Sequence, residues 1–139
     1  MTEGWVRNAR ELDWTENAMG AYCDLLPGID AEFAINLNLL GRGQPMALYH
    51  HEPHQEGFLV LRGKCELTVD GETRPLRAWD YVHCPPGVPH VIVGAGEEPA
   101  LVLAVGSRVG GGEATYPNDP DPRAAYAAYG KAERVESPL

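Results

Sequence analysis

The sequence predicts an all-β fold, and three observations lead to this prediction. Gly and Pro, with 16 and 12 residues, make up about a fifth of the 139 residues, so the chain turns often. Apolar and polar residues alternate with a period of two in several short segments. Turn signals recur about every ten residues between positions 32 and 106, a spacing that is typical of β-sandwiches and β-barrels.

Residues 1–31 are expected to form an irregular arm that lays its aromatic side chains on the main body. Trp5, Trp14 and Tyr22 each lie in a polar and aromatic cluster, and the arm ends at a Pro-Gly turn. A short helical turn over residues 11–19 is the alternative for part of this arm, although its apolar spacing is poor.

Residues 32–107 are expected to form the main domain, with seven or eight short strands. In the first strand Asn36 and Asn38 share one face, whereas Leu37 and Leu39 share the other. Residues 70–71 have the turn chemistry of a hairpin, because both tolerate positive φ. The expected strands cover residues 33–40, 46–50, 57–61, 64–70, 72–76, 81–84, 88–93 and 100–106.

Residues 108–139 are rich in Gly and Pro at their start and are expected to lie outside the strands. Asp121 stands at the N-cap position and Pro122 at the first position of a short helix over residues 123–132. This helix has too few large apolar residues for a core element. A lid, a dimer contact and a solvated tail all fit it.

Charge and apolar patterning exclude two classes of partner. Acidic residues outnumber basic ones by 20 to 11, which gives a net charge of −9. Nucleic acids and anionic membrane surfaces both select clustered Lys and Arg, so we expect neither as a partner. No apolar run approaches the ~20 residues of a membrane span.

The three cysteines are widely spaced, which favours reduced thiols in a cytoplasmic protein over a disulfide framework.

One short polar segment carries residues that suit a metal ion. Residues 49–56 hold three of the five histidines and two glutamates. Imidazole and carboxylate groups together bind divalent Mn, Fe, Ni, Zn or Cu. Taken alone, the segment equally fits a solvated polar turn between two strands. His90 lies far along the chain, directly after a rigid turn rich in Pro and Gly.

The spacing of these residues resembles the two sequence motifs of the cupin superfamily. Glu56, six residues and then Gly63 match the second half of the first motif. Pro85, Gly87 and His90 match the second motif, about twenty residues further on. The resemblance covers residues 32–106, just over half of the chain.

The resemblance implies a double-stranded β-helix, the jelly-roll barrel of cupins, with a metal site in its mouth. The runs FLVLRG and WDYVHCPPG are similar to a small group of single-domain bacterial cupins of unsettled activity. The sequence departs from the second motif at Trp79, where the motif has glycine, and at Gly94, where it has asparagine.

The sequence matches only part of the usual cupin ligand set, which consists of three histidines and one glutamate. Side chains alternate across a strand, so His50 and Glu52 project together whereas His51 points away. In a second alignment to the first cupin motif, Tyr49 stands at the position of the motif's first histidine. The expected ligands of one divalent transition metal ion (Mn, Fe, Zn or Ni) are His50, Glu52, Glu56 and His90, with His51 and His54 as alternates.

Three aromatic residues, Tyr49, Phe58 and Trp79, are expected to line the pocket beside the metal, although plain core residues fit the same pattern. Cys84 shares a mostly apolar strand face and is expected to be a small buried residue.

Three functions are consistent with the sequence. The first is a metal site that binds or acts on a small oxygen-rich molecule, with no reaction assigned. The second is a binding or sensor module that changes no bond, and the third is a structural barrel with a vacant metal site. A homodimer is expected as well, because Trp5 and Trp14 in the arm need cover.

Overall fold

The computed structural model describes residues 3–139, so the first two residues of the predicted arm lie outside the described residues. Within this range no helix is long and apolar enough to cross a membrane. The described elements are a 3₁₀ turn (Ala9–Glu11), the helix α1 (Pro122–Ala127) and the strands β1 (Trp14–Asn17), β2 (Gly20–Asp24), β3 (Phe33–Leu40), β4 (Glu56–Arg62), β5 (Lys64–Val69), β6 (Glu72–Arg77), β7 (Tyr81–Cys84), β8 (His90–Gly94), β9 (Ala100–Ser107) and β10 (Glu133–Val135).

The strands form two antiparallel sheets, and the predicted all-β jelly-roll barrel is confirmed. The larger sheet has the order β10-β1-β2-β3-β9-β4-β7, and the smaller one has the order β6-β5-β8. The main core unites buried side chains of both sheets, among them Phe58 and Val60 on β4, Leu67 on β5 and Ile92 on β8. Burial of such side chains is the dominant favourable term in folding.

A second apolar cluster covers the opposite face of the larger sheet. Leu37 on β3 packs there with Trp14 and Cys23, and the partly buried Val135 and Leu139 of the chain's end join them. Both faces of β3 are therefore covered, one by the smaller sheet and one by residues from the two ends of the chain.

The N-terminal segment is more regular than the sequence indicates, because β1 and β2 extend the larger sheet. Trp14 is fully buried within its own chain, and its indole Nε1 donates to the carbonyl of Ala9 at 2.8 Å. Trp5 remains 38 % exposed. Since Trp14 has its cover within the chain, Trp5 is the one of the two tryptophans that still supports a dimer.

The predicted strand at residues 46–50 is wrong. The described backbone there forms isolated bridges instead, from Pro45 to Val93 and from His50 to His90. The backbone bends over residues 46–49 between these two bridges, so no continuous ladder forms there. The bridge at His50 nevertheless sets this residue beside His90, which begins β8.

The C-terminal helix begins as predicted and ends earlier. Asp121 caps it by accepting a hydrogen bond from the Ala124 N–H at 3.1 Å, and Pro122 is its first residue. Gly130, with φ of +87°, turns the chain away from the helix direction. The chain then forms β10, an element that the sequence does not predict, which pairs with β1.

Two glycines allow close approaches between backbone segments. Gly63 has φ of +83°, and a Cβ there would lie 2.8 Å from Cα of Ala100. A Cβ at Gly94 would meet the carbonyl oxygens of Gly41 and, at 2.6 Å, of Leu40. At this position, where the cupin motif has asparagine, this chain leaves no room for a side chain.

Candidate metal centre

Three segments that are distant in sequence place His50, Glu56 and His90 together. His50 ends the bridged segment, Glu56 begins β4 and His90 begins β8. One ligand atom from each of the three side chains lies within 4.8 Å of the other two. The histidines are buried and the Glu56 side chain is 19 % exposed, so the group lies at the edge of the core.

Each histidine ring is held in the same way. Nδ1 of His50 is 2.6 Å from the carbonyl oxygen of Leu48, and Nδ1 of His90 is 2.9 Å from that of Val88. A carbonyl only accepts, so Nδ1 carries the proton in both rings, an assignment made from these contacts. The Nε2 atoms are left to face the centre of the group, which is the arrangement that backbone carbonyls impose on metal-binding histidines.

Two buried atoms of this group have no hydrogen-bond partner among the described residues. They are Nε2 of His90 and Oε1 of Glu56, which lie 3.1 Å apart. The distance suits a hydrogen bond but the orientation does not, so we treat the contact as ionic. Nε2 of His50 is 4.0 Å from the same carboxylate oxygen. Once Nε2 of His90 has lost its proton, three lone pairs converge in a buried site that favours a cation, and the three residues therefore fit a divalent metal ion.

The pKa of His90 reflects the same environment. Burial lowers it, but the close contacts with Cys84 and Glu56 and the hydrogen bond to the Val88 carbonyl outweigh burial and raise the pKa of His90 from 6.5 to about 10. Without a metal ion, His90 is therefore an imidazolium at neutral pH. A metal ion takes that place only after the proton has left. Cys84, 1 % exposed, is a buried thiol as expected and lies against this ring.

The other predicted ligands lie around this group but are not part of it. Oε1 of Glu52 is 3.3 Å from Nε2 of His50, and its side chain is 30 % exposed. His54 lines a surface pocket together with Glu52 and Glu56. His51 exchanges two backbone hydrogen bonds with Thr115, at 3.0 and 2.9 Å. Glu52 therefore contacts His50 but stands outside the group of three.

The three aromatic residues predicted to line the pocket have different positions. Phe58 is 4 % exposed, and its ring centroid lies 5.4 Å from that of His90. For the other two the prediction is corrected. Tyr49 points away from the site, and its hydroxyl accepts from the Gly71 N–H at 3.1 Å. Trp79 is 72 % exposed and has φ of +75°, the left-handed conformation that explains the glycine of the cupin motif.

A cavity of about 180 Å³ opens beside the three candidate ligands. Phe58, Ile92 and Ala104 contribute apolar surface, and Asn36 and Asn38 contribute amides. These asparagines are not among the predicted pocket residues. Their alternation with leucines could have indicated this role, because two polar residues on the same face of a strand require either solvent or a polar site.

The C-terminal segment reaches the candidate metal centre. The ring of Tyr116 stacks on His50 with a centroid distance of 5.6 Å and an interplanar angle of 28°. Tyr126 packs edge-on against Tyr116 at 5.8 Å, and its hydroxyl accepts from the Leu48 N–H at 3.2 Å. Leu48 thus binds Tyr126 through its N–H and His50 through its carbonyl.

Sequence comparison places this barrel in a family. Residues 39–106 match the family described as the cupin domain. Quercetin 2,3-dioxygenase of Bacillus subtilis (strain 168) is 47 % identical over 58 residues, which are 42 % of this chain. The match spans only 17 % of that relative's length.

Solved structures share the fold at low sequence identity. A cupin 2 conserved barrel domain protein from Salinispora arenicola CNS-205 is 24 % identical, with a TM-score of 0.61 over 78 % of this chain and 92 % of that one. A sugar phosphate isomerase from Silicibacter pomeroyi DSS-3 is 24 % identical, with a TM-score of 0.68 over 76 % of each chain. KdgF from Halomonas sp. is 19 % identical, with a TM-score of 0.65 over 78 % of this chain and 97 % of that one. Residues 39–106, just under half of the chain, therefore match the cupin domain, and the solved structures share its barrel fold.

Proposed function

We propose that His50, Glu56 and His90 hold one divalent transition metal ion and present it to a small oxygen-rich molecule in the cavity. The observation that carries this proposal is the pair of buried atoms without hydrogen-bond partners, Nε2 of His90 and Oε1 of Glu56. Without a proton on His90 or a metal ion in its place this pair would cost free energy, and the fixed Nδ1 contacts of both rings keep the site in this arrangement.

The donor set narrows the identity of the metal. Two imidazole nitrogens and one carboxylate oxygen suit Fe(II), Mn, Zn or Ni, and this set with open positions is typical of non-haem Fe(II) sites. A bound ion would supply Lewis acidity and a surface that orients a chelating ligand. Glu52 is the proposed fourth protein ligand, reached by rotation of its partly exposed side chain toward the group.

A binding module without turnover is the second candidate. Besides the three proposed ligands, Tyr22 is the one side chain with a titratable proton among the described lining residues of the cavity. Burial raises the pKa of its hydroxyl, which makes it a poor base at neutral pH. Few groups are thus available for acid–base chemistry. Oxygen uptake or product formation with a substrate panel supports an enzyme, whereas saturable binding without product supports the module.

Metal titration of untagged, chelator-treated protein tests the proposal. We expect one ion per chain by calorimetry with Mn²⁺, Zn²⁺, Ni²⁺ or, without air, Fe²⁺. His90→Ala should lower the affinity by at least about 100-fold while the barrel stays folded. His83→Ala is the matched control, because His83 is exposed on β7. The absence of metal binding by the wild-type protein would overturn the proposal and leave a structural barrel.

We also retain the prediction of a cytoplasmic homodimer as a proposal. Its remaining support is the partly exposed Trp5 together with the exposed Phe33 and Tyr81. Light scattering across a concentration series measures the oligomeric state. A mass of twice 15.1 kDa is expected, and a monomer at high concentration would contradict it.

A further inference from the structure

Asn38 is a buried amide in an otherwise apolar part of the barrel interior. It is 5 % exposed, and its cross-strand neighbours on the inner face include Val102 on β9. Its Nδ2 donates to Oδ1 of Asn36 at 2.6 Å, the one side-chain hydrogen bond that Asn38 makes among the described residues. An asparagine side chain has two donors and an acceptor oxygen, so the pair keeps unused capacity toward the cavity.

The same cavity carries His50, Glu56 and His90, so a molecule inside it can meet both polar groups. Asn36 is next to Ala104, and Ala104 is next to Phe58, across the three strands β3, β9 and β4. The small side chain of Ala104 leaves room between Asn36 and Phe58. A cavity of roughly 150 Å³ holds benzene, so the 180 Å³ here suits a molecule only slightly larger.

The net charge of the metal-loaded site limits the charge of the ligand. As long as Glu52 keeps its contact with His50 and does not join the ligands, a divalent ion with the Glu56 carboxylate leaves about one positive charge, which favours a monoanionic chelator. The described lining residues of the cavity include no Lys or Arg. A second carboxylate on the ligand would therefore have no charged partner at the end of the cavity away from the metal. Neutral amides instead bind a hydroxyl or carbonyl oxygen.

We propose that the cavity binds small monoanionic hydroxy acids that carry one further neutral oxygen, and that Asn36 and Asn38 recognise this oxygen. The hydroxyl and carboxylate of the acid chelate the metal, and the extra hydroxyl or carbonyl group reaches the amide pair. This inference rests on the proposed metal centre and names its ligand class.

Glycerate and lactate form the matched probes, because both are 2-hydroxy acids and glycerate has one more hydroxyl group. Mn²⁺ binding is measured first, and each acid is then titrated into the Mn²⁺-loaded protein by calorimetry. We expect glycerate to bind about three- to tenfold more tightly than lactate, the effect of one neutral hydrogen bond. Asn38→Leu should abolish this preference and keep Mn²⁺ affinity. Asn36→Leu is the second variant, and Asn118→Leu, at an exposed position, is the control.

The outcomes separate this inference from the metal proposal. If the wild-type protein binds no Mn²⁺, both fail. If it binds Mn²⁺ but glycerate and lactate bind equally, or if both asparagine variants keep the preference, the metal proposal stands and the ligand inference is overturned. Loss of the preference in Asn118→Leu as well would equally contradict recognition by the amide pair.

Discussion

Nε2 of His90 lies 3.1 Å from Oε1 of Glu56, and neither buried atom has a hydrogen-bond partner in residues 3–139. The first atom belongs to the smaller sheet and the second to the larger one. The two sheets of the barrel thus meet at a contact that a positive charge stabilises, either the proton on His90 or a metal ion in its place. Residues 49–56 are therefore more than a solvated turn, since Glu56, the last of them, points into the barrel.

The two glutamates should differ in their importance for metal binding. Glu56→Gln removes the carboxylate that faces both histidines, and we expect it to lower metal affinity by at least about 100-fold. Glu52→Gln changes a partly exposed side chain whose ion-pair partner among the described residues is His50, so a loss below about tenfold is expected. Calorimetry with Zn²⁺ measures both variants. Equal losses would show that Glu52 belongs to the ligand set on the same footing as Glu56.

The stability of the metal-free protein should fall as the pH rises above neutrality. The pKa of His90 is raised from 6.5 to about 10 in the folded state. Its contribution to stability is therefore fully present below pH 6.5 and is lost as the pH rises toward 10. Metal affinity should increase over the same window, because binding releases this proton. Thermal unfolding of wild type and His90→Gln measures the effect, and identical pH profiles for the two would contradict it.

The stacked ring of Tyr116 should act on metal binding through His50. Tyr116→Ala removes the stack, and we expect roughly tenfold weaker metal binding with a changed Co²⁺ absorption spectrum. Tyr116→Phe keeps the ring and should restore both readouts. A Tyr116→Ala variant with wild-type affinity and spectrum would show that the C-terminal segment merely covers the barrel.

The tight approach at Gly94 should make this position intolerant of any side chain. A Cβ there meets two backbone carbonyls that cannot move aside without shifting the preceding loop. We expect Gly94→Ala to lower the free energy of unfolding by at least about 2 kcal/mol. Gly4→Ala is the control, because open space surrounds Gly4. Urea unfolding compares them, and a neutral Gly94→Ala would contradict the packing described here.

The strands were predictable because alternation and turn residues agree along most of the barrel. Alternation shows that β3 has two different faces, but it does not show which face lies inside. Leu37 packs on the outer cluster, which is built from the two ends of the chain, whereas Asn38 faces the cavity. Only the tertiary fold shows that both faces are covered.

The candidate site was predictable in its histidines and less so in its surroundings. The alternation that selects His50 over His51 also turns Tyr49 away from the site, so the prediction for Tyr49 could have been avoided. Tyr116 carries no local signal, since its place depends on the course of the C-terminal segment over the barrel. Trp79 lies in a turn, where strand periodicity says nothing about its direction.

X-ray absorption of the Zn²⁺-loaded wild-type protein and of His90→Ala tests the proposed centre most directly. We predict nitrogen and oxygen ligands at roughly 2.0–2.2 Å, with the scattering of two imidazole rings in the wild type and of one in the variant. A spectrum without imidazole, or one with a sulfur ligand at about 2.3 Å, would contradict a metal ion held by His50, Glu56 and His90.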